Sequence, residues 1–186
     1  MMTDKHSMLN KWDYSKMPMV CCSDKNKESY KKSAEFLGDS VEDWGCGTGW
    51  SKKYFKEYKG IDGAPHKNVD VIADLAFYTS DTDNILIRQA LEFNWRWREI
   101  LENVKKSFRK KFCLVIMTPL VEETKIMSMS PVNYLDETTN TPDISFNKQD
   151  ILDYFPKDEF IVSEESIKTN QGWGHEWILY VERRNS

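Results

Sequence analysis

Cysteine is scarce in this 186-residue chain, and it is poorly placed for a structural role. Cys21 and Cys22 are adjacent, while Cys46 and Cys113 fall in segments that read as a turn and a buried strand. No disulfide framework follows from that spacing, and no paired C-x-x-C supplies a zinc site, so no metal is expected. Long apolar runs are missing too. Nothing approaches the roughly 20 residues that span a bilayer, and no apolar h-region precedes a cleavage site. N-x-Ser/Thr acceptors are absent. A cytoplasmic, reducing environment without a membrane partner is the economical expectation. Positive charge is not in excess either, with 26 basic against 30 acidic residues and a formal net charge of −4. Binding through phosphates needs clustered Lys and Arg, so nucleic acid is disfavoured as a partner. The one dense basic run, Lys105-Lys106 through Arg109-Lys110-Lys111, falls at the end of a predicted helix, where cations complement the macrodipole.

What is present is enough for one domain with a sizeable core. Aromatic residues make up 13% and include seven Trp, a surplus that suits both a core and a pocket gripping a flat ring. Residues 1–28 are polar and irregular and read as an arm packed on a domain of residues 29–186. A helix is expected from about Ser29, with Tyr30, Ala34 and Leu37 on one face and Gly38 as a left-handed stop. A strand ending Val41-Glu42-Asp43-Trp44 follows. The next helix is expected to put Trp50, Tyr54 and Tyr58 on one stripe. Strands at Gly60–Asp62 and Val71–Leu75 have short connections that leave no room for full crossover helices. A fourth strand, Asn84–Arg88, leads to a helix capped by Asn94, with Trp97, Ile100, Leu101, Val104 and Phe108 facing inward. Phe112–Met117 reads as a central strand covered on both faces. Residues 119–145 read as a long lid or substrate loop. A last helix carrying Phe146, Ile151, Leu152 and Phe155 stops at Pro156. Phe160–Ile167 and Trp177–Glu182, joined around Asn170-Gln171-Gly172, should form a hairpin. The order is that of an α/β doubly wound, mostly parallel sheet with an antiparallel C-terminal hairpin.

The strongest signal is Asp43-Trp44-Gly45-Cys46-Gly47-Thr48-Gly49 between a strand and a helix. Glycines there permit a tight turn and let backbone N–H groups approach a ligand that a Cβ would block. Asp62, ending the next strand, stands about 20 residues on, the spacing at which such folds place an acid on ribose hydroxyls. The dinucleotide fingerprint fails because Trp50 stands where its last glycine belongs, and the phosphate-loop pattern G-x-x-x-x-G-K-[ST] fails as well.

The run Val41 to Gly49 resembles the first motif of class I S-adenosylmethionine-dependent methyltransferases. Gly60-Ile61-Asp62-Gly63-Ala64 resembles their second motif and Ala73-Asp74-Leu75 their third, and the likeness extends over residues 29 to 183. The resemblance implies a Rossmann-like sheet of about seven strands with helices on both faces, and S-adenosylmethionine as cofactor. It also implies that Gly45, Cys46, Gly47 and Gly49 wrap the methionine part, with Asp43 at the same end. Asp62 and Gly63 would meet the ribose, Asp74 and Leu75 the adenine, and Arg88 the methionyl amine through its backbone.

Methyl transfer is an in-line displacement at a sulfonium, so positioning dominates and a base is needed only for some acceptors. The segment after the fourth strand lacks the N/D-P-P-Y/F pattern of base-amine enzymes. No Pro-Cys nucleophile is present, and no Lys-Asp-Lys-Glu set can be assembled. Two residues are candidate bases. Glu92 follows the fourth strand, where a solvated first-turn acid is the plainer reading. His175 lies in the final hairpin, where a structural histidine is the plainer reading. Trp173 and Trp177 suit either an acceptor pocket or a core face. A small-molecule or saccharide acceptor is the first expectation. The alternatives are an RNA or protein substrate, or a non-catalytic S-adenosylmethionine-binding module.

Overall fold

A computed structural model of the chain describes residues 6–14, 27–133, 136–170 and 173–184. Seven strands form one sheet in the order β3-β2-β1-β4-β5-β9-β8. Its parallel part is β1 (Ser40–Trp44), β2 (Glu57–Asp62), β3 (Val71–Ile72), β4 (Thr82–Arg88) and β5 (Phe108–Ile116). β8 (Phe160–Lys168) and β9 (His175–Arg183) form the closing hairpin, and β9 pairs antiparallel with β5. The α/β doubly wound arrangement expected from the element order is therefore the observed one. Residues 171–172 of the hairpin connection, and Cys21 and Cys22 of the arm, lie outside the described residues; Cys46 and Cys113 are free thiols.

Side-chain alternation along the central strands sends neighbours to opposite faces and makes two cores. Ile85, Ile87, Phe112, Leu114, Ile116, Leu179 and Val181 face one side, where α2 (Trp97–Ser107) and α3 (Lys148–Leu152) bury Trp97, Ile100, Leu101, Val104 and Ile151. Leu86, Cys113, Val115 and Ile178 face the other, under Leu37 of α1 (Lys27–Leu37). Gly38, at φ +85°, ends α1 in the left-handed stop that its position announces, its amide reaching Ala34 O.

Several expectations are corrected. The helix expected after the glycine turn is only a 3-10 turn, Trp50–Tyr54, and Tyr58 belongs to β2. Lys56 and Glu57 amides already bond to Asp39 O, which starts β2 before a second helical turn can close. β3 stops at Ile72, so Asp74 and Leu75 lie in the turn beyond it. Asn94 does not cap α2, whose first flanking residue is Arg96 without a side-chain cap; the Asn94 amide turns back to Ala90 O instead. Phe108 is buried but opens β5 rather than closing α2. Residues 119–145 are no structureless lid, since β6 (Lys125–Asn133) and β7 (Asp136–Ser145) pair as a two-stranded antiparallel ribbon. Ribbon and body are joined by Thr118 Oγ1 donating to Ile144 O at 2.6 Å. β6 exposes Ile126, Met127 and Met129, while β7 is buried from Thr141 to Ser145.

Candidate functional site

The five parallel strands all end on one rim, and the glycine turn leaves β1 there. Gly45, Gly47 and Gly49 have φ of +78°, +55° and +75°, values that L side chains rarely adopt, so the turn depends on these residues. Over them opens a cavity of about 270 Å³, near the lower bound for small-molecule sites. The turn is braced from behind by Asn68, whose Nδ2 donates to Thr48 O at 2.9 Å.

Three buried carboxylates stand at successive strand ends. Asp43, next to last in β1, accepts from Tyr58 OH at 2.9 Å. Burial lifts its carboxyl to about 6, against the lowering pull of hydrogen bonds from Tyr58 and Ser51. Asp62, ending β2, takes the Gly47 amide on Oδ2 at 2.8 Å and the Ala64 amide on Oδ1 at 3.0 Å. Burial raises its carboxyl as well, with those amides opposing. Asp74, just past β3, receives the Ala76 amide on Oδ1 at 3.1 Å. Asp43 and Asp62 border the cavity with Gly45, Cys46, Gly47, Gly63, Leu75 and Arg88. Of the residues that the resemblance names for the cofactor, these eight border the cavity, and Gly49 and Asp74 do not. Burial and the nearby Asp43 and Asp62 push the Cys46 thiol far up, which favours its protonated form.

Part of the roof comes from the arm, which composition alone could not place. Ser7 Oγ and the Met8 amide donate to Asp74 Oδ2 at 3.1 and 3.0 Å, and the Asn10 amide donates to Gly63 O at 2.7 Å. Tyr14 OH donates to Asp62 Oδ1 at 2.9 Å. Met8 O sits 2.4 Å from where a Cβ on Gly63 would stand, so only glycine lets the arm cross there. Trp12 meets Phe93 edge-on at 6.2 Å. No periodicity in residues 6–14 could have signalled this; the aromatics Trp12 and Tyr14 in a polar stretch were the only hint.

At the β4 end, Arg88 is fully engaged. Its guanidinium bonds to Ser29 Oγ at 3.1 Å, Tyr30 OH at 3.0 Å, Gln89 Oε1 at 3.1 Å and Glu176 Oε1 at 2.9 Å, and stacks 3.9 Å over the Tyr30 ring. Gln89 also donates to Glu176 and is held at φ 51°, an uncommon conformation for a side chain of its size. The Arg88 side chain is thus a structural ion-pair member at the cavity floor, a role that the sequence assigned only to its backbone.

The two candidate bases lie elsewhere. Glu92 is fully buried, accepts from the Met117 amide at 3.0 Å and does not border the cavity. It is not the solvated acid that its first-turn position suggested. Burial lifts its carboxyl to about 7, with the Met117 amide pulling the other way. His175 begins β9 on the same rim but does not border the cavity, and its Nδ1 lies 3.2 Å from Trp173 O. Trp177 is a core residue whose Nε1 donates to Glu164 at 2.7 Å, while Trp173 is exposed.

Lys106, Arg109 and Lys110 of the basic run are exposed, and much of the run is paired. Lys105 pairs with Glu159, Arg109 with Asp81 and Asp83, and Lys110 with Asp83, while Lys111 Nζ donates to Phe36 O. Among the described residues no group of His, Cys, Asp and Glu is arranged to hold a metal, and no helix is long and apolar enough to cross a membrane.

No protein-family model matches the sequence, and no curated protein matches it. Solved structures do match in three dimensions. One is the Burkholderia thailandensis 1,6-didemethyltoxoflavin-N1-methyltransferase, bound to 1,6-didemethyltoxoflavin and S-adenosylhomocysteine. It is 10% identical at a TM-score of 0.65, over 86% of this chain and 80% of that one. This chain has the methyltransferase fold. A Listeria monocytogenes putative S-adenosylmethionine-dependent methyltransferase superposes at 0.61 with 14% identity, over 87% of this chain and 100% of that one. The N-methyltransferase NodS from Bradyrhizobium japonicum WM9, in complex with S-adenosylhomocysteine, superposes at 0.58 with 9% identity, over 88% and 89%. At such identities the likeness extends to the methyltransferase fold and not to individual side chains.

Proposed function

We propose that the protein is an S-adenosylmethionine-dependent methyltransferase acting on a small-molecule acceptor. The observation that carries this reading is the set of three buried carboxylates, Asp43, Asp62 and Asp74, at successive strand ends around the positive-φ glycine turn. A cavity walled by acids suits a ligand with cationic groups and hydroxyls, and disfavours a polyphosphate. Gly47 borders the cavity with the Tyr14 hydroxyl in van der Waals range, 3.7 Å from where a Cβ would stand, so a ligand lying against the turn would share that space with Tyr14.

In this reading Asp43 and the glycine turn hold the methionine end, Asp62 accepts from the ribose hydroxyls, and Leu75 frames the adenine while Asp74, outside the cavity lining, ties down the arm at Ser7 and Met8. Bound there, the cofactor supplies a methyl group on a cationic sulfur that leaves readily. The chain's own part is positioning, exclusion of water by Met8, Trp12 and Tyr14, and stabilisation of positive charge by Asp43. No step is routed through Glu92 or His175, since neither borders the cavity. Two neighbours with this fold were crystallised with S-adenosylhomocysteine, and one of them also with a small heterocyclic acceptor, which supports the cofactor and the size class of acceptor. A polyanionic RNA acceptor is less favoured because three cations of the basic run, Lys105, Arg109 and Lys110, are already paired with Glu159, Asp81 and Asp83.

Isothermal titration with S-adenosylmethionine and S-adenosylhomocysteine tests this. Micromolar binding, about −8 kcal/mol, is expected, and Asp62→Ala should weaken it at least tenfold. A folded protein that binds neither ligand overturns the reading. Normal binding without turnover on any acceptor would leave a sensor or accessory module.

A further inference from the structure

The strap of residues 7–14 is held at two ends, and a ligand in the cavity competes with only one of them. At the first, Ser7 Oγ and the Met8 amide donate to Asp74, which is outside the cavity lining, and the Asn10 amide donates to the Gly63 carbonyl. At the second, Tyr14 OH donates to Asp62, which borders the cavity. Between the two, Asn10 holds φ 54°, a left-handed conformation; it is exposed and does not border the cavity.

Resting on the cofactor reading, we propose that the strap is an entry gate hinged at Asn10. Tyr14 on Asp62 is its closed position, and the ligand enters when Tyr14 withdraws, while the foot on Asp74 stays in place.

Three observations support the gate. First, with the strap in place the cavity measures about 270 Å³, and Met8, Trp12 and Tyr14 wall it. Small-molecule pockets start at roughly 300 Å³. A nucleoside joined to an amino acid therefore gains room by moving a wall, and the other walls are strand ends and the glycine turn, tied into the sheet. Second, opening strands no charge. The Gly47 and Ala64 amides remain on the Asp62 carboxylate after Tyr14 leaves, so the motion breaks one hydrogen bond without leaving a buried acid bare. Third, the hinge has the chemistry that the motion needs. Asparagine tolerates the left-handed region and most side chains do not, so a φ change at this one residue redirects the chain beyond it.

A closed gate lowers the fraction of molecules able to accept a ligand, and apparent affinity falls by that fraction. The effect belongs to association, because a bound ligand has already taken Tyr14's place on Asp62.

The test uses the full chain with Asn10→Val, which disfavours the left-handed hinge without touching the cavity, and Asn10→Gly, which keeps it. S-adenosylhomocysteine association and dissociation are followed by surface plasmon resonance. Chymotrypsin cleavage after Trp12 and Tyr14, without ligand, reports the open population independently. We expect Asn10→Val to raise both cleavage and the association rate about 5–30-fold with dissociation unchanged, and Asn10→Gly to stay near wild type. Unchanged association with faster cleavage overturns the gate and leaves the cofactor reading standing. Faster dissociation with weaker binding means that the strap grips the ligand, which overturns the gate as well. Unchanged cleavage overturns the hinge at Asn10. Failure of the wild type and both variants to bind S-adenosylhomocysteine overturns the cofactor reading, and the gate with it.

Discussion

Tyr14 donates its phenol to the same Asp62 carboxylate that the proposed reading reserves for ribose hydroxyls. With Gly47 and Ala64 amides also on that carboxylate, most of its lone-pair directions are taken. An incoming ribose must exchange with Tyr14. Tyr14→Phe should therefore tighten S-adenosylhomocysteine binding by about 3–10-fold, because a charge-assisted hydrogen bond no longer has to be broken. Calorimetry on the variant decides it. Weaker binding would mean that Tyr14 grips the ligand and does not hold its place.

Asp43 gives the site a pH dependence. Its carboxyl, lifted to about 6 by burial, is partly protonated in mildly acidic solution. A cationic ligand end prefers the ionised form, so binding releases a proton, and affinity should rise as pH increases through 6. The gain between pH 5 and pH 7 is expected to approach tenfold. Asp43→Asn should bind more weakly at pH 7 and show a flat profile. Titrations at pH 5, 6 and 7 measure both, and a wild-type affinity that falls over this range refutes the assignment.

Glu92 acts on stability. Its folded value of about 7 lies above its ordinary 4.5. Between those values the folded state holds a proton that the unfolded chain has released, so stability declines as pH rises across the window. Below pH 4.5 both states are protonated and the term vanishes. The decline is on the order of 3 kcal/mol by pH 8. Glu92→Gln retains an oxygen for the Met117 amide and should flatten this component, leaving the variant more stable than wild type at pH 8 and not at pH 4.5. Urea midpoints across that range test it; a variant without any gain at pH 8 is the contrary result.

The Arg88–Glu176 pair is nearly dry, with side-chain exposures of 7% and 0%. Removing one member strands a buried charge, so Arg88→Met or Glu176→Leu should each cost about 3–5 kcal/mol. The double variant should cost clearly less than the sum, as a double-mutant cycle by denaturant unfolding would reveal. Additive costs would mean that the two charges are held independently.

Much of this site was legible because local chemistry forces it. Glycines at positive φ and acids at strand ends leave short, readable spacings, so Asp43, Gly45, Gly47 and Asp62 were nameable from neighbours within twenty residues. The strand runs were legible for the same reason, their apolar continuity marking β4, β5 and β9. What could not be read depends on contacts between distant segments. Tyr14 finds Asp62 across 48 positions and Arg88 finds Glu176 across 88, and neither leaves a periodic trace. Trp50, Tyr54 and Tyr58 matched helical spacing, yet pairing of β2 with β1 claimed Tyr58 first. The β6–β7 ribbon was missed because Pro131 and Pro142 read as loop residues.

The replacement of the first crossover helix by one 3-10 turn has a consequence for how the molecule breathes. β4, β5 and β9 are clamped between helices and form the cooperative unit that should open last. β2 and β3 have no helix of their own and rely on the crossing strap of residues 7–14 and on whatever fills the cavity. Amides of that outer half should exchange through local openings well below the global unfolding free energy. A bound ligand would then serve the sheet as a missing piece of its packing, so that the same molecule is at once the reagent and part of the scaffold that orders its own binding site.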